Sequence, residues 1–546
     1  MALNIIIIFS LVGLVGMGVA LWQIRNHPRG LYVLFFAEMW ERFSYYGMRA
    51  LLVLYLTKHF LFTQDAAYGI YGAYTTLVYI LPVIGGFVAD RYMGQRRATM
   101  IGAALLVVGH GLMAVEGEPV AADQDPDMMI LNVFYLALAF IIMGTGFLKA
   151  NISAMVGQLY PKTDLRRDGA FTLFYVGINS GSFLGALWAG YLGETYGWNY
   201  GFGLAGIGML AGLIVFVLGK PLLAGAGELV DEARIQAQRF AGLSPNALIA
   251  IGTVILLLFV WYVVRDQDTV GLLLAAAGAA TVGYILYRSV FQLAKEERDR
   301  IFAALILISM NILFWGLFEQ AGSSLNIYTD QQVDRTIFGA ELPASTFQSL
   351  NAFYIIYLGP LFAAMWIALA KRGLEPTAPQ KFGLGIVQLG LGFLVLVWGA
   401  ASGNGLTPVL FIFLIYLLHT TGELFLSPVG LSAMTRLAPG NMVGLIMGTW
   451  FLASGAGNFV ASLIAQATGS GELEGDYDPQ VVIDVYGRIG WIAVAVGFGL
   501  VLVSPLINYL MHLKTLRDDE LPGMGAHQSE VPIDQTPQGG SVRPAE

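Results

Sequence analysis

Fifteen apolar stretches, each long enough to cross a membrane as a helix, restrict the fold of this chain more than any other feature of its sequence. They lie near residues 2–22, 30–57, 67–90, 97–115, 128–149, 169–193, 199–219, 245–264, 269–288, 301–325, 346–370, 381–401, 407–433, 441–467 and 485–512. Backbone N–H and C=O groups find no water in hydrocarbon, so stretches of this length are satisfied there only as helices. A closed barrel needs alternating segments of about ten residues, which this sequence lacks. We therefore predict an all-α polytopic membrane protein.

Composition excludes several other classes of protein. Only 12% of the residues are charged, against about 25% in an average soluble domain. Cysteine is absent, which excludes disulfides and thiolate metal sites. The six histidines are not spaced to share a metal ion, and no basic tract is present, so we expect no metal, no cofactor and no nucleic-acid partner. Neither HExxH nor GxSxG in a strand–helix context occurs, so we expect that the protein is not an enzyme.

The distribution of Lys and Arg predicts which loops face the cytoplasm. One set of alternate loops contains twenty-one of these residues, whereas the other set contains only Lys58, Arg265 and Arg335. Cytoplasmic loops of membrane proteins are enriched in Lys and Arg, so the first set is predicted to be cytoplasmic. The C-terminus follows from this assignment and is expected in the cytoplasm.

The helices divide into six, two and six after one extra helix at the N-terminus. We predict an extra transmembrane helix in 1–24, a six-helix bundle in 25–219, a cytoplasmic linker with an inserted helix pair in 220–300, a second six-helix bundle in 301–515, and a disordered cytoplasmic tail in 516–546. Residues 2–22 lack a positively charged start and are long for a signal peptide, which favours a retained helix over a cleaved signal.

The stretch "FFAEMWERFSYYGMRALLVLYL" (35–56) contains four charged residues within a membrane helix. Glu38, Glu41, Arg42 and Arg49 fall at i, i+3, i+4 and i+11, with Tyr45 at i+7, so they share one helix face. Four charges that faced lipid would cost roughly 10 kcal/mol. The face must therefore point into the bundle or into a wet cavity. A salt-bridge cluster that only joins helices is the alternative, although such clusters seldom repay their desolvation.

Further charged residues lie in other spans of both halves, namely Lys149, Glu319 and Glu423. Charges of both signs shared between two helical halves suit a zwitterion bound by alternating access. Glu423 could bind an ammonium group, while Arg49 and Lys149 could bind a carboxylate. A di- or tripeptide is about 7–11 Å long, which such a site could span.

Uncharged residues complete the predicted site. Asn179, Asn351 and Ser427 could bond the peptide amides, and Tyr46, Tyr79, Trp315 and Trp450 could form side-chain pockets, although membrane packing also explains each aromatic residue. Protons are the expected coupling ion, because Glu38 and Glu41 beside Arg42, and Glu319, could change protonation as the helices move. Sodium would also be compatible with carboxylates and carbonyls.

Several segments of the sequence resemble segments of one protein family. "EMWERFSYYG" is similar to the E-x-x-E-R-F-x-Y-Y signature of the proton-coupled oligopeptide transporters, within the major facilitator superfamily. "GGFVADRYMGQRR" (85–97), "FYVGINSGSFLG" (174–185), "QSLNAFY" (348–354) and "GELFLSPVGLS" (422–432) resemble further family segments in the right order. The resemblance covers roughly 27–515, including the inserted helix pair of bacterial members. One departure is Ala150, where many members have proline.

The resemblance implies uptake of di- and tripeptides with protons across a bacterial cytoplasmic (inner) membrane. It implies that Glu38, Glu41, Arg42, Lys149 and Glu319 couple protons. It implies peptide-binding roles for Arg49, Tyr45, Tyr46, Lys149, Asn351 and Glu423. It also implies two gating salt bridges, Arg49 with Glu319 and Lys149 with Glu423. We expect a functional monomer; transport of nitrate or another small solute is the alternative. The resemblance does not address 2–22, and deletion of that helix is expected to leave transport intact.

Overall fold

A computed structural model describes residues 1–121, 124–161, 164, 166–229, 232–239, 242–403, 405–439, 442–469 and 478–513. Within these residues the chain forms fifteen helices of 19 residues or more. Thirteen candidate spans are long and apolar enough to cross a membrane by length and composition. The other two long helices contain the four charges of 35–56 and the pair Arg96 and Arg97. The predicted tail, 516–546, lies outside the described residues.

The helices of the first part of the chain are α1 Ala2–Ile24, α2 Gly30–Lys58, α3 Gln64–Val88, α4 Gln95–Met113, α5 Met128–Gln158, α6 Arg166–Tyr196, α7 Trp198–Gly219, α8 Glu232–Ala237, α9 Pro245–Val263 and α10 Gln267–Phe291. Those of the second part are α11 Lys295–Phe318, α12 Ser324–Gln332, α13 Ser349–Lys371, α14 Ala378–Ser402, α15 Leu410–Leu437, α16 Val443–Gln466 and α17 Pro479–Met511. Short strands join the ends of some helices: β1 Val333–Asp334 is parallel to β4 Thr407–Pro408, and β2 Thr336–Ile337 is antiparallel to β3 Ala340–Glu341.

Two helical bundles make up the body of the protein. In the first, α2 packs on α6 and α7, and α4 packs on α5 and α7. In the second, α14 packs on α15 and α17, and α11 packs on α16 and α17. Each bundle has a hydrophobic core, and Phe183, Leu187 and Tyr191 of α6 belong to the core of the second bundle. The bundles meet along α3 with α16 and along α6 with α13, so a site between them is bordered by helices of both halves.

Glycines set the close approach of helices inside the first bundle. Gly144 and Gly146 of α5 face Gly102 of α4 and Leu81 of α3, at distances that leave no room for a side chain. Helix α5 runs unbroken from Met128 to Gln158 although it has Ala150 in place of the family's proline.

Among the described residues, three of the long helices lie outside the two bundles. The inserted pair packs with α9 on α5 and with α10 on α3 and α16. Helix α1 packs on α6 and α13, on the other line where the bundles meet. The helix ends on the side of the Lys- and Arg-rich loops are called the inner end below, and the opposite ends are called the outer end.

Several helix boundaries differ from those that hydropathy predicts. Helix α5 continues past 149 to Gln158, and α17 begins at Pro479 rather than at 485. Two further differences concern the predicted span 301–325. Helix α11 begins at Lys295, before the predicted start at 301, because its charged first turn is also helical and Glu297 accepts a hydrogen bond from the Ala294 N–H. The predicted span 301–325 is not one helix. The chain leaves the α-helical path at Glu319, in a 3-10 turn over Glu319–Gly322, before α12 begins.

Candidate functional site

Glu38, Glu41 and Arg42 form a buried charged cluster on α2. The Arg42 Nε lies 2.8 Å from Glu38 Oε1 and 2.8 Å from Glu41 Oε2. Within the described residues, Glu38 Oε2 and both Glu41 carboxyl oxygens accept no hydrogen bond. A single arginine therefore faces two carboxyl groups whose acceptor sites are mostly unfilled. Unfilled acceptors in a buried place are costly, so the arrangement is suited to bind a proton.

Arg49 joins the two bundles. Its guanidinium forms a buried ion pair with Glu319, which sits in the 3-10 turn after α11. The Arg49 Nε also donates a hydrogen bond of 2.6 Å to the Tyr71 hydroxyl on α3. Gly322 makes this arrangement possible, because a Cβ at that position would collide with the Tyr71 hydroxyl. The break at Glu319 thus lets one acid, one base and one tyrosine meet.

Tyr71 is a site residue that the sequence reasoning missed. A tyrosine in an apolar helix usually indicates packing, and the only signal was its spacing from Tyr68 and Tyr79 along α3. Only the fold brings it to Arg49, which is 22 residues away in the chain.

We expect Tyr71→Phe to destabilise the protein by about 1.5–3 kcal/mol, the usual value of a hydrogen bond to a charged group. The matched control is Tyr74→Phe, because the Tyr74 hydroxyl is also buried but has no partner within the described residues. The measurement is the thermal unfolding midpoint in detergent. An equal or larger loss in Tyr74→Phe would show that the bond to Arg49 has no stabilising effect.

Lys149 and Glu423 do not form the predicted pair in this structure. The Lys149 Nζ lies 3.8 Å from the centroid of the Tyr79 ring, and it is close enough to the cluster to be repelled by Arg42 and attracted by Glu41 and Glu38. Glu423 Oε2 instead accepts a hydrogen bond of 2.9 Å from Asn351 Nδ2. Of the two predicted gating pairs, Arg49 with Glu319 is therefore in contact, and Lys149 with Glu423 is not.

Asn351 links α13 to α15 through two acceptors. Besides Glu423, its amide donates to Thr420 Oγ1 at 3.1 Å. Thr420 is thus a second residue that the sequence reasoning missed; it lies one helical turn before Glu423 and could have been found from that spacing. Glu423 is also close enough to Glu319 for the two carboxyl groups to interact electrostatically.

The remaining predicted residues differ in their surroundings. Tyr45 is buried and its ring stacks on Tyr74 at 6.4 Å. The Tyr46 ring centroid lies 5.6 Å from the Arg49 guanidinium. Asn179 donates to the carbonyl of Tyr175 on its own helix at 2.9 Å. The Ser427 hydroxyl has no partner within the described residues.

The two predicted tryptophans both pack within the second bundle. Trp315 of α11 is half-buried beside Phe314 and Phe318, with ring centroids 5.4 and 5.2 Å away. Trp450 is almost fully buried, lies against Gly430 and has Phe382 at 6.2 Å. The surroundings of Trp450 are those of a core residue, as the packing alternative predicts.

Polar contacts between the bundles concentrate at the outer end. The carbonyl of Ala50 on α2 accepts hydrogen bonds from Asn326 at 2.9 Å and from Gln348 at 3.2 Å. Lys58 pairs with Asp330 at 2.7 Å. The Glu194 carboxylate of α6 accepts from the Ser345 N–H at 2.8 Å and from its hydroxyl at 2.5 Å. Together with Arg49 and Glu319, these contacts close the outer end.

No group of three or more His, Cys, Asp or Glu is placed to hold a metal ion within the described ranges. The absence of a cofactor stays a prediction.

Comparisons with known proteins agree on one family. The model of the POT family matches residues 96–481. The peptide transporter YePEPT of Yersinia enterocolitica is 37% identical over 469 residues, which cover 82% of this chain and 89% of that protein. Dipeptide and tripeptide permease B of Salmonella typhimurium is 32% identical over 493 residues, which cover 89% of this chain and 97% of that protein.

A solved structure of a mutant of the peptide transporter POT, in complex with alafosfalin, is similar in fold. It has a TM-score of 0.76 and 36% sequence identity, and the match covers 89% of this chain and 96% of that chain.

Proposed function

Because the chain belongs to the POT family, with the two-bundle fold of the major facilitator superfamily, we propose that it imports di- and tripeptides by alternating access, coupled to inward proton movement. The family is one of multi-pass membrane transporters. The names of the relatives, which include a dipeptide and tripeptide permease, support a short peptide as the substrate. The resemblance seen in the sequence points to the same substrate.

The observation that carries the proposal is a set of charges of both signs contributed by both bundles, in which Arg49, Glu319 and Glu423 are buried and Lys149 is half-buried. Arg49 and Lys149 come from the first bundle, whereas Glu319 and Glu423 come from the second. Arginine and lysine suit a peptide carboxylate, and a carboxylate suits a peptide ammonium. Glu423 is already oriented by Asn351 at 2.9 Å, so it can receive an ammonium group without a search for its rotamer.

The proposed proton coupling depends on a competition in which a proton and the Arg49 guanidinium bind the same Glu319 carboxylate. Arg49 is paired with Glu319 while the outer end is closed. Opening of that end requires this pair to separate, and a proton on Glu319 would remove the attraction. The Glu38, Glu41 and Arg42 cluster offers a second place for a proton, next to Lys149. We propose that Lys149 and Glu423 approach each other when the inner end closes, so that the two pairs alternate.

The wider cellular setting belongs to the same proposal. The protein resides in a bacterial inner membrane with its C-terminus in the cytoplasm, acts as a monomer and has no catalytic activity. The Lys and Arg asymmetry supports the orientation. Glu423 opposes the nitrate alternative, because its charge would repel an anion that lacks an ammonium group.

We expect proteoliposomes containing the protein to accumulate labelled dialanine when an inward proton gradient is imposed. A protonophore should abolish accumulation, because the peptide itself carries no net charge and needs the proton to move uphill. Free alanine and nitrate serve as competitors that should not inhibit. Uptake that is indifferent to the protonophore would contradict proton coupling, and inhibition by nitrate but not by dipeptides would favour the alternative substrate.

A further inference from the structure

Helix α1 lies where α6 of the first bundle meets α13 of the second. The rings of Phe183 on α6 and Phe353 on α13 are 5.7 Å apart, and the ring of Phe9 on α1 is 5.5 Å from Phe353. These three aromatic residues mark a junction of three helices. Neither bundle alone provides it.

Helix α1 forms one hydrogen bond with the first bundle and one with the second. Trp188 Nε1 of α6 donates to the Ser10 hydroxyl at 2.9 Å, and Ser10 is buried. The Tyr357 hydroxyl of α13 donates to the Val12 carbonyl. No water competes for these groups in hydrocarbon, so the bonds are not exchanged for solvent as they would be at an aqueous surface.

The face of α1 toward the bundles is closely packed against them, and the opposite face is exposed. A Cβ at Gly13 would collide with the Phe183 ring, and one at Gly16 would lie too close to the Ile356 side chain. By contrast, Leu11 and Val15 are 59% and 64% exposed, as expected for a face toward lipid. Small residues at a helix contact allow this close approach in membranes.

The contacts lie in the outer half of the bundles. Trp188 is eight residues before Tyr196, where α6 ends at the outer side, and Tyr357 is eight residues after Ser349, where α13 begins there. The first turns of α1 also pack near the outer loop, since Ile5 and Ile6 share a small cavity with Ile337 and Leu342.

We propose that residues 1–24 act as a clasp that holds α6 and α13 together and favours the conformation closed at the outer end. Opening of the outer end must move α6 away from α13, and a single rigid helix can then follow only one of them. Either the Trp188 contact or the Tyr357 contact is lost, so the open conformation is less favourable with α1 in place. This inference rests on one part of the proposed function, namely that the two bundles move relative to each other during alternating access.

The test measures a distance across the outer end rather than uptake. The chain has no cysteine, so spin labels can be placed at Tyr200→Cys on α7 and Leu406→Cys between α14 and α15, where the native side chains are 58% and 48% exposed. We expect Tyr357→Phe to raise the population at long distance about threefold, the ratio for one interhelical hydrogen bond in a membrane. Ser10→Ala should act in the same direction.

The matched control is Tyr354→Phe on the same helix. The Tyr354 hydroxyl donates to the Phe413 carbonyl at 3.2 Å, which is a bond within the second bundle, so the distance distribution should not change. Deletion of residues 2–22 should raise the long-distance population by more than Tyr357→Phe does. Unchanged distributions in Tyr357→Phe and Ser10→Ala, or an equal change in Tyr354→Phe, would overturn the clasp.

The outcome is separable from that of the proposed function. If the labelled parent protein fails to accumulate dialanine, peptide import is contradicted, whereas the distance distributions still decide the role of α1. If the deletion does not yield a monodisperse protein, Tyr357→Phe and Ser10→Ala decide alone, because each removes a single bond and leaves α1 present.

Discussion

Lys149→Ala is expected to lower proton-driven peptide accumulation from roughly 50-fold to about onefold. One proton that moves down 100 mV supplies about 2.3 kcal/mol, and tenfold in concentration corresponds to about 1.4 kcal/mol. Lys149 lies over the Tyr79 ring and interacts electrostatically with all three members of the cluster, Arg42, Glu41 and Glu38. Without the Lys149 charge, the proton affinity of the Glu38, Glu41 and Arg42 cluster no longer depends on the position of the second bundle. Proton movement and peptide movement then become independent.

Counterflow exchange of labelled for unlabelled dialanine should persist in Lys149→Ala, because exchange needs no net proton movement. The matched control is Lys381→Ala in the second bundle. Lys381 is buried and, like Lys149, lies over an aromatic ring, 4.2 Å from the Trp366 centroid, yet it pairs with Glu375 near the inner end of α14. Accumulation should be unchanged in this control. If Lys149→Ala still accumulates peptide against a gradient, Lys149 has a structural role only.

Glu423→Gln is expected to weaken binding of dialanine by about 10- to 100-fold. The substitution removes a charge-assisted hydrogen bond to the peptide ammonium, worth about 1.5–3 kcal/mol, and keeps the shape of the side chain. The carbonyl oxygen of the introduced amide can still accept the bond from Asn351 that is 2.9 Å long in the parent, so the local fold should be retained.

The discriminating ligand is a dipeptide whose amino group is acetylated. It lacks the positive charge that Glu423 is proposed to bind, so its weak binding should be the same in the parent and in Glu423→Gln. Asp484→Asn serves as the control carboxylate, because Asp484 is exposed on α17, accepts a hydrogen bond from Gln480 of the same helix and lies outside the proposed peptide site. Equal affinity of dialanine for the parent and for Glu423→Gln would remove the ammonium-binding role.

Much of the fold could be predicted from sequence because its causes are local. The cost of unpaired backbone groups in hydrocarbon makes every long apolar stretch a helix, and fifteen long helices are present within the described residues. The cost of a charge in lipid likewise requires Glu38, Glu41, Arg42 and Arg49 to face inward, and all four are buried. Hydropathy was least informative where polar residues continue or break a helix, which occurs at Lys295, after Lys149 in α5 and at Glu319.

Arg42 has its partners Glu38 and Glu41 on its own helix, but the contacts of the other charges in the site were decided by the tertiary structure. Arg49 and Glu319 are 270 residues apart, and Tyr71 joins them from a third helix. No segment contains the information that Lys149 lies over Tyr79 while Glu423 binds Asn351, because the first contact depends on how α5 packs on α3 and the second on how α13 packs on α15. The position of α1 between α6 and α13 was likewise decided by the tertiary structure. The length and apolarity of α1 come from its own residues, but the surface on which it packs forms only when α6 and α13, which are distant in sequence, come into contact.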